Sequence, residues 1–123
     1  WNREFDITLP TPNLSEENKS DIQQNIRILH EMLEYCNMHN FKPIITILPV
    51  TDYLSSRFTD EFIQEHILRY INVANTVKAP VLNYLKDKRF TSSELYINSF
   101  FMNKKGRNLL TKEMINKILD RNN

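Results

Sequence analysis

Residues 42–50 read KPIITILPV, and this stretch decides the fold. Ile44, Ile45, Ile47, Leu48 and Val50 form a nearly continuous apolar run rich in β-branched side chains. Such a run, too short for a helix, predicts a strand buried on both faces, as in a parallel sheet. Pro49 cannot donate to a sheet ladder and marks the strand's carboxyl end.

Upstream, Ile22, Ile26, Leu29, Leu33 and Cys36 recur every three or four residues, and Ile28, Met32 and Tyr35 widen the stripe. This predicts an amphipathic helix over about 15–39, capped by Ser15, with Glu16 and Glu17 at its positive end and Asn40 as a left-handed stop. Downstream, TDYLSSRF (51–58) is expected as a loop. Thr59 then caps a second helix with Asp60 and Glu61 in its first turn and Ile63, Ile67, Tyr70, Ile71 and Ala74 on its buried face. VLNYL (81–85) is a second short strand, and the order strand, helix, strand predicts a right-handed crossover and a parallel pair. TSSE (91–94) has the spacing of a capping box and opens a short helical turn. The last helix is expected over 104–120, with Leu109, Leu110, Met114, Ile115, Ile118 and Leu119 turned inward.

The fold class is therefore α/β: a short parallel sheet flanked by amphipathic helices. Residues 1–13, with Pro10 and Pro12, are expected as an extended arm carrying Trp1, Phe5, Ile7 and Leu9, ahead of a single domain over 14–123. Two parallel strands make a poor sheet alone, so the domain reads as the C-terminal half of a doubly wound unit. The missing strands would come from upstream sequence, from the arm or from another copy of the chain, leaving an exposed or shared edge beside 44–50. The opening, WNREFDITLPTP, reads as the middle of a longer chain.

Composition narrows the function classes. The 123 residues carry a net charge of +1, so no global field selects nucleic acid or an acidic surface. One cysteine, Cys36, excludes an internal disulfide framework. No apolar run is long enough to cross a bilayer, and the compartment stays open between cytoplasm and cell envelope. Gly106 is the only glycine, so turns depend on proline, asparagine and serine.

The block Asn98-x-x-Phe101-x-Asn103-x-x-Gly106, together with the order helix, KPIITILPV, helix, PVLNY, resembles the C-terminal half of SGNH/GDSL-type hydrolases. More loosely, the chain is similar to the C-terminal region of the D-alanyl transfer protein DltD. The resemblance covers about residues 20–120. It implies a flavodoxin-like α/β fold and an ester hydrolase or acyltransferase chemistry, often on carbohydrates. In that family the block reads Asp-x-x-His, then Asn and Gly at the spacing seen here for Asn103 and Gly106. Asn98 stands in the aspartate's place and Phe101 in the histidine's, and the family's serine, glycine and asparagine blocks are absent. A serine needs a base within hydrogen-bond reach to become a nucleophile, and phenylalanine has no lone pair. No catalytic residue is therefore assigned. The resemblance implies a degenerate relative that binds a glycan or an acyl-carrying small molecule as an accessory in cell-surface glycan modification. The alternatives are half of an active esterase or acyltransferase whose nucleophile lies upstream, and a structural interaction module that pairs through its sheet edge, with a further copy or with the missing half.

The candidate ligand residues lie at the carboxyl end of the first strand, where open α/β sheets bind ligands. Asp52, Tyr53, Ser55, Ser56 and Arg57 are expected to form a polar cleft with Asn98 and Ser99, against the plainer reading of a solvated turn. Lys104, Lys105 and Arg107 form a weak anion-binding candidate at a helix start, where Asn103 is equally an ordinary N-cap. His30, His39 and His66 lack metal-ligand spacing, so neither metal nor cofactor is expected.

Overall fold

The computed structural model describes residues 16–120, so the expected arm and the Ser15 cap lie outside the described residues. It is an α/β arrangement, mostly helical, with one two-stranded parallel sheet. The elements run α1 (Glu16–Met38), β1 (Ile45–Ile47), α2 (Asp52–Ser55), α3 (residues 60–74), β2 (Val81–Asn83), a 3-10 turn (Ser93–Leu95) and α4 (Lys104–Asp120). Ile45 N donates to Pro80 O at 2.9 Å and Tyr84 N to Ile47 O at 3.0 Å, which fixes the register of the pair. Packing divides the described chain into two compact units, residues 16–45 with 57–82 and residues 46–56 with 83–120.

In the first unit α1 packs on the Arg69–Ala74 segment of α3 through a stripe that buries Leu33. Its end is a Schellman motif: Asn40 has φ 58°, Asn40 N bonds Asn37 O, and Phe41 N bonds Cys36 O at 2.9 Å. Asparagine tolerates that left-handed backbone, so the expected stop is where the helix ends. The Thr59 hydroxyl accepts from Phe62 N at 3.1 Å and starts α3. Within α3, Asp60–Ile63 and Arg69–Ala74 are α-helical, but Gln64–Leu68 is a π turn that no periodicity announced. Ile63 and Ala74 are buried, while Ile67, Tyr70 and Ile71 are half-buried. After α3, Asn75 and Ala79 exchange two 2.8 Å hydrogen bonds that close the turn into β2.

The second unit holds most of the buried apolar side chains, among them Val50, Leu54, Leu85, Phe90, Leu95 and Leu110. The start of α4 lies on the 93–95 turn, where Asn103 N donates to Leu95 O and Asn103 Nδ2 to Glu94 O at 2.7 Å. Arg89 bridges Asp87 and Glu113 on α4.

Several expectations need correction. β1 is only three residues long and half-buried, not buried on both faces, because β2 is the sole strand paired with it among the described residues. TDYLSSRF is not all loop: Asp52–Ser55 makes one helical turn, since Leu54 N and Ser55 N both reach back to Thr51 O. The Thr91 hydroxyl is buried without a hydrogen-bond partner, and Ser92 makes no side-chain cap bond to the 93–95 turn, so TSSE does not act as a capping box. On α4, Leu110 is buried and Met114 half-buried, whereas Leu109, Ile115, Ile118 and Leu119 are exposed. Those apolar positions surround the helix on more than one side, and a helix lying on one neighbour buries only one stripe.

Candidate functional site

The chain leaves β1 through Pro49 and Val50, both buried, and delivers Thr51 and Asp52 to the start of α2. Two other segments of the same unit are laced to this point by backbone bonds. Thr51 N donates to Ser99 O at 3.1 Å, with the Thr51 hydroxyl 3.4 Å from the same oxygen, and Asp52 N donates to Thr91 O at 2.9 Å. The result is a polar cleft of about 530 Å³. Its walls are Thr51, Asp52 and Tyr53 on one side and Asn98 and Ser99 on the other, with Ser92, Ser93, Tyr96 and Ile97 completing it.

Of the residues expected there, Asp52, Tyr53, Asn98 and Ser99 meet in the cleft. Ser55 and Ser56 do not line it: their hydroxyls bond back to the carbonyls of Asp52 and Tyr53, at 3.3 and 3.0 Å. Such back-bonding is what serine does in a helical turn. Arg57 belongs to the first unit and is not a lining residue. Lys104 and Lys105 are exposed at the start of α4, with Lys105 Nζ 4.0 Å from Glu94 Oε2. Arg107 lines a different, mainly apolar recess with Phe101 and Leu110. The helix start is already served, since Asn103 Oδ1 accepts from Gly106 N at 3.0 Å.

Asn98 is a brace for its own loop. Its side-chain oxygen accepts from Phe100 N at 3.0 Å and Phe101 N at 2.8 Å, an Asx turn that holds residues 97–101 in a hairpin closed by the Ile97 N to Phe101 O bond. Phe101 is 68% exposed and lies outside the cleft. No imidazole lines the cleft, and Asp52 is the one side chain there that could take a proton from a hydroxyl.

The electrostatics are simple. Asp52 is the one carboxylate of the wall, and no lysine, arginine or histidine accompanies it there. Tyr96 is 9% exposed, and its hydroxyl is buried without a hydrogen-bond partner. Burial, and then the Asp52 charge, push the Tyr96 phenol up to about 12, so it stays neutral. The cleft therefore carries one negative charge and several hydroxyls, with Tyr53, 52% exposed, in its wall.

Thr51, Ser92, Ser93, Tyr96 and Ile97 were not among the expected site residues. The two serines were read as part of a capping box, which drew attention away from their position. Tyr96 and Ile97 enter the cleft as the residues that lead directly into the Asn98 turn.

Among the described residues no three of His, Cys, Asp and Glu cluster as metal ligands, and no helix is long and apolar enough to cross a membrane. Comparison of the chain with protein-family models, with curated proteins and with solved structures gave no match.

Proposed function

We propose that this chain is a catalytically degenerate, SGNH-hydrolase-like protein whose polar cleft binds a neutral, hydroxyl-rich ligand of the glycan class. Its role would then be one of binding or assistance in cell-surface glycan modification. The observation that carries the reading is the composition of the cleft: hydroxyls, one carboxylate and a half-exposed tyrosine, with no imidazole beside them. Asp52 would accept hydrogen bonds from sugar hydroxyls, which a carboxylate does more strongly than a neutral oxygen. Tyr53, 52% exposed, would offer its face to the apolar side of a sugar ring. The Asn98 side chain, already engaged with two backbone amides, would shape the wall rather than relay a proton.

The test is a titration of the chain with a panel of neutral oligosaccharides by saturation-transfer NMR and calorimetry. Saturable binding is expected, weakened about tenfold by Tyr53→Ala or Asp52→Asn, which corresponds to about 1.4 kcal/mol. Turnover of an acetylated sugar that disappears in Ser93→Ala would overturn the degenerate reading. Absence of any saturable binding would overturn the ligand class.

A further inference from the structure

Exposed apolar side chains gather at one place in the second unit. The 97–101 hairpin carries Ile97, 72% exposed, with Phe100 and Phe101, and Leu48, past the end of β1, lines the same recess. A contiguous apolar surface of this kind marks an interaction site rather than ordinary surface.

The charges beside it have one sign. Arg107 lines the recess, and Lys104 stands one turn earlier on the same face of α4. Both are exposed and neither makes an ion pair among the described residues, and no acidic side chain among them lines the recess. The exposed apolar stretch of α1, with Ile28, Met32 and Tyr35, has Glu31 in its wall instead.

The backbone of the hairpin is already provided for. Asn98 Oδ1 accepts from the amides of Phe100 and Phe101, Ile97 N donates to Phe101 O at 2.7 Å, and Ser99 O accepts from Thr51 N. A loop whose amides are bonded to water must give up those bonds on entering an apolar layer, which opposes entry. This hairpin keeps its bonds, because their partners lie in the chain itself.

We propose that the 97–101 hairpin seats the chain on an anionic lipid surface, with Phe101, Phe100, Ile97 and Leu48 at the boundary of headgroups and acyl chains and Arg107 and Lys104 against the headgroup phosphates. Such a surface sets negative charge directly beside an apolar layer, and it takes in apolar side chains without a matching pocket. Two cations and four apolar side chains are few, so both contributions are needed for stable attachment. The surface shares only Ile97 with the polar cleft, and Phe101 and Arg107 lie outside that cleft, so the two proposals are tested by different variants.

Co-sedimentation of the full chain with sucrose-loaded vesicles is the test. Mixed phosphatidylcholine–phosphatidylglycerol vesicles are expected to bind it saturably, and pure phosphatidylcholine vesicles about tenfold more weakly. Added salt is expected to weaken the anionic binding, since the cations are exposed. Phe101→Ser is expected to lower it about tenfold and Arg107→Gln about fivefold. Lys104→Gln serves if Arg107→Gln does not fold. Val73→Ser, at an exposed apolar position of the first unit, is expected to leave binding unchanged. Equal binding to both kinds of vesicle would overturn the proposal. So would binding that falls with Arg107→Gln but not with Phe101→Ser, which is adsorption by charge alone. Failure to bind anionic vesicles overturns it too, including the case in which light scattering shows a second copy covering the patch.

Discussion

Gly106→Ala is the substitution with the clearest consequence. Gly106 is the chain's only glycine and stands in the first turn of α4. Its φ is not positive, so it is not there for an unusual backbone angle. The reason is proximity. A Cβ at this position would run into the Leu95 carbonyl oxygen, and would lie 3.1 Å from Leu95 Cβ and 3.2 Å from the Leu95 carbonyl carbon. That carbonyl cannot simply retreat, because it accepts the 2.9 Å bond from Asn103 N. In an ordinary helix, alanine for glycine gains about 1 kcal/mol. Here overpacking against backbone costs about 1–3 kcal/mol, and loosening the Asn103 cap costs about 1 kcal/mol more. The balance is a net loss of about 2 kcal/mol. For a chain of this size that is a fall in Tm of about 8 °C. Urea unfolding followed by far-UV circular dichroism reads the loss as a lower midpoint at unchanged slope. Asn108→Ala, at an exposed position of the same helix, is the control and is expected to gain a few tenths of a kcal/mol, about 0.5 at most. If Gly106→Ala proves as stable as the parent while the control behaves, the close approach of α4 to the 93–95 turn is refuted.

Asn103→Ala removes both the acceptor for Gly106 N and the donor to Glu94 O, and a loss of about 1–2 kcal/mol is expected in the same assay; a neutral result would show that the cap is not formed. The Arg89 side-chain hydrogen bonds hold the Asp87 carboxyl below its ordinary 3.8, against the opposing effect of burial. Its stabilisation is therefore present above that value and lost as pH falls through the lower folded one. Asp87→Asn is expected to be less stable than the parent at pH 7 and to converge with it in strong acid, and a gap independent of pH would refute this. Tyr96 has the opposite sign: its folded value, about 12, exceeds the ordinary 10.0, so its contribution is full below pH 10 and fades as pH rises toward 12. Tyr96→Phe should flatten the alkaline side of the stability profile, and an unchanged slope between pH 9 and 11.5 would count against a buried phenol.

What could be read from the sequence was local. The Asn40 stop, the Thr59 cap and the Asn103 cap each rest on bonds within five residues of chain, made by the backbone at Asn40 and by the side chain at Thr59 and Asn103, and each is formed. Burial was harder to foresee. The run at 44–50 looks like a strand covered on both faces, yet only Ile45–Ile47 pairs, and Leu48 is 59% exposed. Apolar character states what a side chain prefers, whereas its burial depends on what packs against it. The π turn in α3 left no trace either, because an extra residue in a helix shifts the stripe by an amount that half-buried residues on both sides disguise. At the cleft, Asp52, Tyr53, Asn98 and Ser99 came from reading strand ends. Ser92, Ser93 and Tyr96 arrive there through long-range backbone bonds, such as Asp52 N to Thr91 O, that no short pattern encodes.

The block from 98 to 106 shows how a spacing can outlast, or imitate, a chemistry. Asn98 supports two backbone amides of its own hairpin, a task an aspartate oxygen performs equally well. Asn103 caps α4, and Gly106 permits the approach to Leu95. Three of the four marker positions thus have structural work inside this chain that fixes their type and their separation. The fourth, Phe101, contributes its backbone to the hairpin, is 68% exposed and borders the apolar recess beside Leu110. It is also the position to which the proposed hydrolase resemblance would assign the base. The spacing follows from turn, cap and close packing, and the case for a ligand rests on the hydroxyls and the single carboxylate of the cleft beside it.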